Sequence, residues 1–279
     1  SGYPDGQFAP SALAAWGAGG TAPSEASLVA EGDRRRLIWR WNGVTVPAGG
    51  RVAFLQLFSA QADRVRGRAA AERLVLGPSE TLAGLSAEEA EAILNFDVPP
   101  DLSSAAPPLP GNDGRASGTV YAFDGTTLAG GGSVRFRSRS LYFGRPLTAG
   151  VSASTSSFSI QASPGTGTLV PRTDFDLRAS LTSVGATVTA AASGGFQPES
   201  PQARRDVVFS GAGLLHGVAG YPGGPLPGTR IWLSQGSDYE YLLARADGSY
   251  GFPVLAPGTY RPHAVHPAGP PRPPSTHTA

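Results

Sequence analysis

The stretch Gly211–Val265 reads GAGLLHGVAGYPGGPLPGTRIWLSQGSDYEYLLARADGSYGFPVLAPGTYRPHAV. Five short apolar or alternating runs (Leu214–Ala219, Thr229–Ser234, Tyr239–Ala244, Tyr250–Pro253 and Thr259–Val265) sit between turn signals at the spacing of a β-sandwich. In Pro225-Leu226-Pro227-Gly228, proline presets φ and glycine accepts the left-handed region, so a turn is expected before the second run. Asp247-Gly248 suits a tight hairpin between Leu242–Ala246 and Tyr250–Val254. Leu255–Tyr260 supplies a further turn into a last strand. Alternation predicts that Ile231, Leu233, Leu243, Tyr250, Phe252 and Tyr260 point inward, and no helix is expected in this span.

The order of the later signals, P-L-P-G-x-x-I-x-L, D-G-x-Y-x-F and L-x-P-G-x-Y, resembles that of the carboxypeptidase regulatory-like (transthyretin-like) domains, whose pattern opens on G-x-V where this chain has Gly217-Val218. The resemblance implies a small antiparallel β-sandwich and a spacer or adhesive role on a larger assembly. It implies no reaction, since function lives in sites and not in folds.

Composition narrows the classes further. The chain has 279 residues and a net charge of +1, with 15% charged residues, so nothing points to a nucleic-acid partner. Cysteine and methionine are absent, and every basic residue is arginine. Disulfides, thiolate metal sites and lysine Schiff-base chemistry are therefore excluded. Without Met, the chain is expected to be a processed product or a fragment, with any signal sequence already removed. No apolar run approaches a membrane span. The resemblance implies a location at the exterior or surface of a bacterium.

Five regions are expected in chain order. Residues 1–24 read as an extended arm of small residues, in which Tyr3, Phe8, Leu13 and Trp16 are candidate contacts for assembly or a partner. Residues 25–105 read as a β domain with short helices. Strands are expected at Ser27–Ala30, Arg36–Trp41 and Arg51–Phe58, followed by a helical stretch over 62–96. There Ala69–Leu76 is helix-prone, and Ser86 with Glu89 forms a capping box opening a helix to about Asn95. Residues 99–114 carry five prolines and read as a semi-rigid linker. From 115 to 210 the pattern restarts, with Gly118 in the place of Gly217 about a hundred residues later and SVRFRS (Ser133–Ser138) in the place of TRIWLS (Thr229–Ser234). This copy lacks the D-G-x-Y-x-F and P-G-x-Y signals and reads as an elaborated sandwich, with Val151–Ala162 as a half-exposed strand. Residues 211–267 form the regulatory-like sandwich, and 268–279 a Pro-rich tail of polyproline II character.

The fold class that follows is mainly β: tandem antiparallel sandwiches with a small helical segment. Glu88, Glu89 and Glu91 serve a helix start, where acidic groups complement the dipole. His216, His263, His266 and His277 lack the ligand spacing of a zinc site. No G-x-S-x-G elbow or phosphate-binding loop is present. Neither catalysis nor a cofactor is expected. A structural or adhesive surface protein, as a subunit repeating along an extracellular filament, is the first expectation, with other copies of itself or surface molecules as partners. A non-catalytic accessory module of a secreted enzyme is the second. Exposure of Trp39 and Trp41, two apart on one strand, would favour a glycan face.

Overall fold

The structure is a computed structural model that describes residues 11–265 except 15, 18, 32, 33 and 62. It comprises two compact units, one of residues 1–110 with Ser140–Arg145, the other of Gly111–Arg139 with residues 146–279.

The first unit contains β1 (Ser11–Ala14), β2 (Glu25–Glu31), β3 (Arg34–Arg40), β4 (Leu57–Ala60), α1 (Arg64–Leu74), α2 (Ser79–Leu82) and α3 (Ala87–Ala92). β2 pairs with β3 and β1 with β4, both antiparallel. α1 begins where the Asp63 carboxylate accepts the Arg66 amide, and α3 where Ser86 and Glu89 close the expected capping box. Leu57, Leu74, Leu82, Phe96 and Val98 form its core. Arg51–Phe58 is not a strand: only an isolated bridge from Ala53 to Ile93 and the start of β4 lie there. The buried Asn95 takes the place of a partner strand, its amide donating to the Leu55 carbonyl at 2.7 Å and accepting from the Leu55 amide at 2.8 Å.

Arg73 is buried in this unit. Its guanidinium pairs with Glu80, donates to the Pro107 carbonyl at 2.9 Å and lies 5.6 Å from the Tyr142 ring centroid. Burial pushes the Glu80 carboxyl up, but hydrogen bonding to Arg73 and attraction to its charge outweigh this and hold it below its ordinary value of 4.5. A depressed carboxylate stabilises the fold above its unfolded pKa, and that contribution disappears as pH falls through the folded value. Arg73→Leu is therefore expected to cost about 2 kcal/mol at neutral pH, and to lose less melting temperature than the wild type on acidification below about pH 4. Thermal melts at the two pH values check both.

The second unit opens with β5 (Arg115–Tyr121), β6 (Ser133–Ser138), β7 (Leu147–Gly150), β8 (Ser157–Gln161), β9 (Phe175–Ser183), β10 (Ala186–Gly194), β11 (Gln202–Arg204) and β12 (Val207–Val208). One sheet runs β10-β9-β6-β7, and in the other β5 pairs with β8 and with β11 and β12. β11 and β12 run parallel to β5, whereas the other paired strands among the described residues are antiparallel. Alternation buries Phe158 and Ile160 of β8 and Val134 and Phe136 of β6 against Phe175, Leu177 and Phe209. Each such side chain contributes about 1.5–3 kcal/mol. Residues 151–156 of the expected strand turn instead, with Ser156 at φ +51°.

The chain continues through β13 (Gly213–Val218), β14 (Gly220–Tyr221), β15 (Gly224–Pro225), β16 (Arg230–Gln235), β17 (Asp238–Leu243), β18 (Ser249–Leu255) and β19 (Arg261–Val265). β13 pairs with β18, and β17-β16-β19 form a three-stranded sheet. This repeats the first strand order: β5 with β8 matches β13 with β18, and β7-β6-β9 matches β17-β16-β19. Burial aligns Val134 with Ile231 and Phe136 with Leu233, one residue away from the motif alignment. The period of two makes that single step decisive for which side chains face out.

No helix lies between 211 and 265, and Ile231, Leu233 and Phe252 are buried, with Tyr250 and Tyr260 packed against them. Leu243 is the correction: it is 58% exposed, and Leu242 takes the inward place. Asp247-Gly248 does form a tight turn, with Gly248 at φ +76° and its amide donating to the Arg245 carbonyl at 2.9 Å. It is not a hairpin between paired strands: among the described residues β17 pairs with β16 and β18 with β13, and the turn carries the chain from one sheet to the other. At the far corner the Tyr260 hydroxyl donates to the Ala256 carbonyl at 2.7 Å, and burial pushes this phenol up.

The two repeats exchange core residues. The two-residue loop Val184-Gly185 between β9 and β10 has both φ positive, at +48° and +73°, as a type I′ turn demands. Valine is a poor choice there, costing roughly 1–2 kcal/mol in the left-handed region. Its side chain, however, is buried in the second core with Ile231 and Leu233. The Glu240 carboxylate holds the loop, accepting from the Ser183 hydroxyl at 2.6 Å and the Val184 amide at 3.3 Å. In return Val254 of β18 is buried in the first core. Val184→Asn suits the turn but withdraws the plug, so a net loss of about 1–2 kcal/mol is expected from the balance of apolar burial and strain. Equilibrium unfolding of the full chain measures it.

Candidate functional site

The outward face of β17-β16-β19 gathers the chemistry that the interior leaves aside. Ile231 and Leu233 are buried, so their neighbours Arg230, Trp232 and Ser234 face out. Direct cross-strand pairing sets Tyr241 on one side of Trp232 and His263 on the other. The adjoining row carries Tyr239, Ser234 and Arg261. Trp232 packs against Tyr241 at 4.9 Å between ring centroids and against Tyr239 at 5.3 Å, with the rings tilted by 39° and 52°. The Arg230 guanidinium lies 5.0 Å from the Tyr241 centroid and 5.8 Å from that of Trp232. Such contacts stabilise a sheet modestly and hold the cation by attraction to the ring faces. Tyr239 is 66% and Tyr241 51% exposed.

Charge on this face is of one sign. Glu240 alternates with the tyrosines and is turned to Ser183. Among the described residues no carboxylate pairs with Arg230 or Arg261. The matching row of the first repeat is polar, with Thr148, Arg135 and Arg178 in place of Tyr241, Trp232 and His263. There Asp176 stands in place of Arg261 and pairs with Arg139 at 2.6 Å. The same sheet is thus built without aromatic residues, and the fold does not require them.

The residues singled out from sequence fall elsewhere. Tyr3 and Phe8 lie outside the described residues. Leu13 belongs to β1, opposite Phe58 of β4, and Trp16 is 39% exposed. Backbone amides of the 1–24 segment bond within their own unit. Gly17 donates to Asn95 at 2.8 Å, Thr21 to Leu94 at 2.9 Å and Ser24 to Arg40 at 2.7 Å. Trp39 and Trp41 are both half-buried. Trp41 packs on Phe54 at 4.6 Å, and its indole N–H donates to the Thr21 carbonyl, so the pair is no open platform. Among the described residues no group of His, Asp and Glu is placed to hold a metal ion. A polar cleft of about 550 Å³ lies along β5 and β8, but its Arg115 bonds Ser159 and its Arg204 pairs with Asp206. Among the described residues no helix is long and apolar enough to cross a membrane.

Fold and face together define a tandem antiparallel β-sandwich protein with an exposed aromatic and cationic sheet. No family model and no curated protein matches the chain, so membership of the carboxypeptidase regulatory-like family is not shown. Among solved structures, a streptococcal ancillary pilin is similar at 11% identity, over 55% of this chain and 53% of its own, with a TM-score of 0.22. The shaft pilin SpaA from Lactobacillus rhamnosus GG is similar at 11% identity, over 55% and 87%, with a TM-score of 0.24. A tetra-tandem repeat in the extending region of a large adhesion protein is similar at 13% identity, over 51% and 41%, with a TM-score of 0.19. The chain spans about half the length of the ancillary pilin. Likenesses this distant carry no argument about function, and the β fold rests on the sheets themselves.

Proposed function

We propose that this chain is a structural and adhesive protein of a bacterial surface, in which interlocked sandwiches give reach and the β17-β16-β19 face gives contact. The observation that carries the reading is the exchange of Val184 and Val254 between the two cores. Two repeats joined by a flexible linker would bend independently, whereas side chains buried in each other's cores couple them, because close-packed interiors transmit strain. The resemblance of Gly211–Val265 to carboxypeptidase regulatory-like domains belongs to the same reading, as a spacer or adhesive module. In its finer form the chain is a repeating subunit of an extracellular filament. Tyr3, Phe8, Leu13 and Trp16 are then the contacts to other copies.

Immunogold labelling of intact and permeabilised source cells tests the location. Gold on intact cells or on fibres leaving them is expected; gold confined to the interior defeats the proposal. Deleting residues 1–10 tests the finer form. Full-length chains are expected to assemble at high concentration and the shortened chain to stay monomeric. Monomers in both cases remove the filament and leave the surface role standing.

A further inference from the structure

We infer that the outward face of β17-β16-β19 is a binding site for an acidic polysaccharide, built of pyranose rings bearing carboxylates. The inference rests on the adhesive reading above and names the partner of that face.

Comparison of the two repeats carries it. Both build the same sheet in the same strand order, and the first does so with a polar outer row. Arg135 becomes Trp232, Thr148 becomes Tyr241, and the paired Asp176 becomes Arg261, for which no carboxylate partner exists among the described residues. These exchanges gain nothing for the inner core, since all the positions concerned face away from it. They expose large rings to water, and they put a cation, Arg261, where the first repeat has the acid that pairs with Arg139. A ligand must therefore offer an apolar face to the rings and negative charge to Arg230 and Arg261. The C–H face of a pyranose meets the first need. A uronic-acid carboxylate meets the second, because a guanidinium engages a carboxylate through two parallel N–H donors. Arg230 is already held over the Tyr241 and Trp232 rings, so cation and aromatic surface lie together and one bound sugar could meet both. Neutral glycans would leave the cations without partners, and nucleic acid is disfavoured by the near-zero net charge of the chain.

The test titrates the full-length chain calorimetrically with polygalacturonate oligosaccharides and with neutral galactan of matched length, at low and at high salt. The uronic-acid polymer is expected to bind at least about tenfold more tightly than the neutral one, as one charge-assisted contact implies, and to weaken with salt. The double variant Arg230→Gln, Arg261→Gln should erase the difference between the polymers. Trp232→Ala should weaken both by about thirtyfold, as expected for a central aromatic anchor. A melting curve accompanies each variant. Should Trp232→Ala fail to fold, Tyr239→Ala, at the more exposed edge, carries the test with a loss of about tenfold. Equal affinity for the two polymers, or affinity indifferent to both aromatic variants, overturns the assignment. So does capture of a peptide of residues 266–279 in place of either polymer, which would make a proline-rich segment the occupant. Failure here leaves the labelling result untouched, so the two readings fall separately.

Discussion

Gly118→Ala is expected to lower the stability of the second unit by about 3 kcal/mol, a severe overpacking loss, and its melting temperature by roughly 10 °C. Gly118 sits mid-strand in β5 at an ordinary φ, so conformational freedom is not the reason. The parallel partners β11 and β12 are interrupted opposite it by Arg205-Asp206, where the Arg205 amide donates to Ser117 and the Asp206 carboxylate accepts the Thr119 amide at 2.8 Å. This brings the Arg205 carbonyl onto Gly118, and an added Cβ would collide with that oxygen and sit 2.9 Å from the Phe158 ring. A flexible side chain could swing away; a carbonyl pinned by hydrogen bonds on both sides cannot. Gly150→Ala, in the same sandwich with open space around it, is the control and should melt like the wild type. Calorimetry that finds both variants unchanged would refute the close approach.

Gly248→Val should cost about 3–4 kcal/mol, at the upper end for single substitutions. Two causes add. A left-handed φ penalises any L side chain by roughly 1–2 kcal/mol, and branching at Cβ makes it worse. The new Cβ would also stand 2.5 Å from the Ala219 carbonyl oxygen and 2.9 Å from Pro225 Cβ. Gly236→Ala separates the causes, because Gly236 has φ +62° and nothing nearby; it should lose only about 1 kcal/mol. Since Val184 and Val254 tie the repeats together, Gly248→Val and Gly118→Ala are expected to shift one common transition of the second unit. A Gly248→Val chain that melts with the wild type would count against the turn.

Reading Leu243 as inward shows where sequence reasoning stops. Along β17, Tyr239, Tyr241 and Leu243 form the apolar set, and Asp238, Glu240 and Leu242 the mixed one. Alternation alone sends the apolar set to the core. The fold does the reverse, because the loop from β9 and β10 supplies donors for Glu240 and pushes Val184 in beside Leu233. A contact from residues some fifty positions earlier thus inverts the face of a whole strand. The same inversion hid the candidate site. Its aromatic residues were visible at alternate positions of two adjacent runs, but nothing local marks that side as the outer one. Trp39 and Trp41 show the same alternate spacing on β3 and just past its end, yet they are half-buried.

What the sequence determined by itself is local: the capping box at Ser86, the strands around Ile231 and Leu233, and the left-handed glycines at 228 and 248. Each follows from backbone sterics and hydrogen bonds within a few residues. The recurrence of one strand pattern was also legible, since it needs only comparison of the chain with itself. Tertiary structure alone decided that the Asp247-Gly248 turn crosses between sheets, that Gly17, Thr21 and Ser24 bond to Asn95, Leu94 and Arg40, and which side of β17 meets water. Those choices depend on burial shared between distant segments, and a period of two is satisfied equally well by either face.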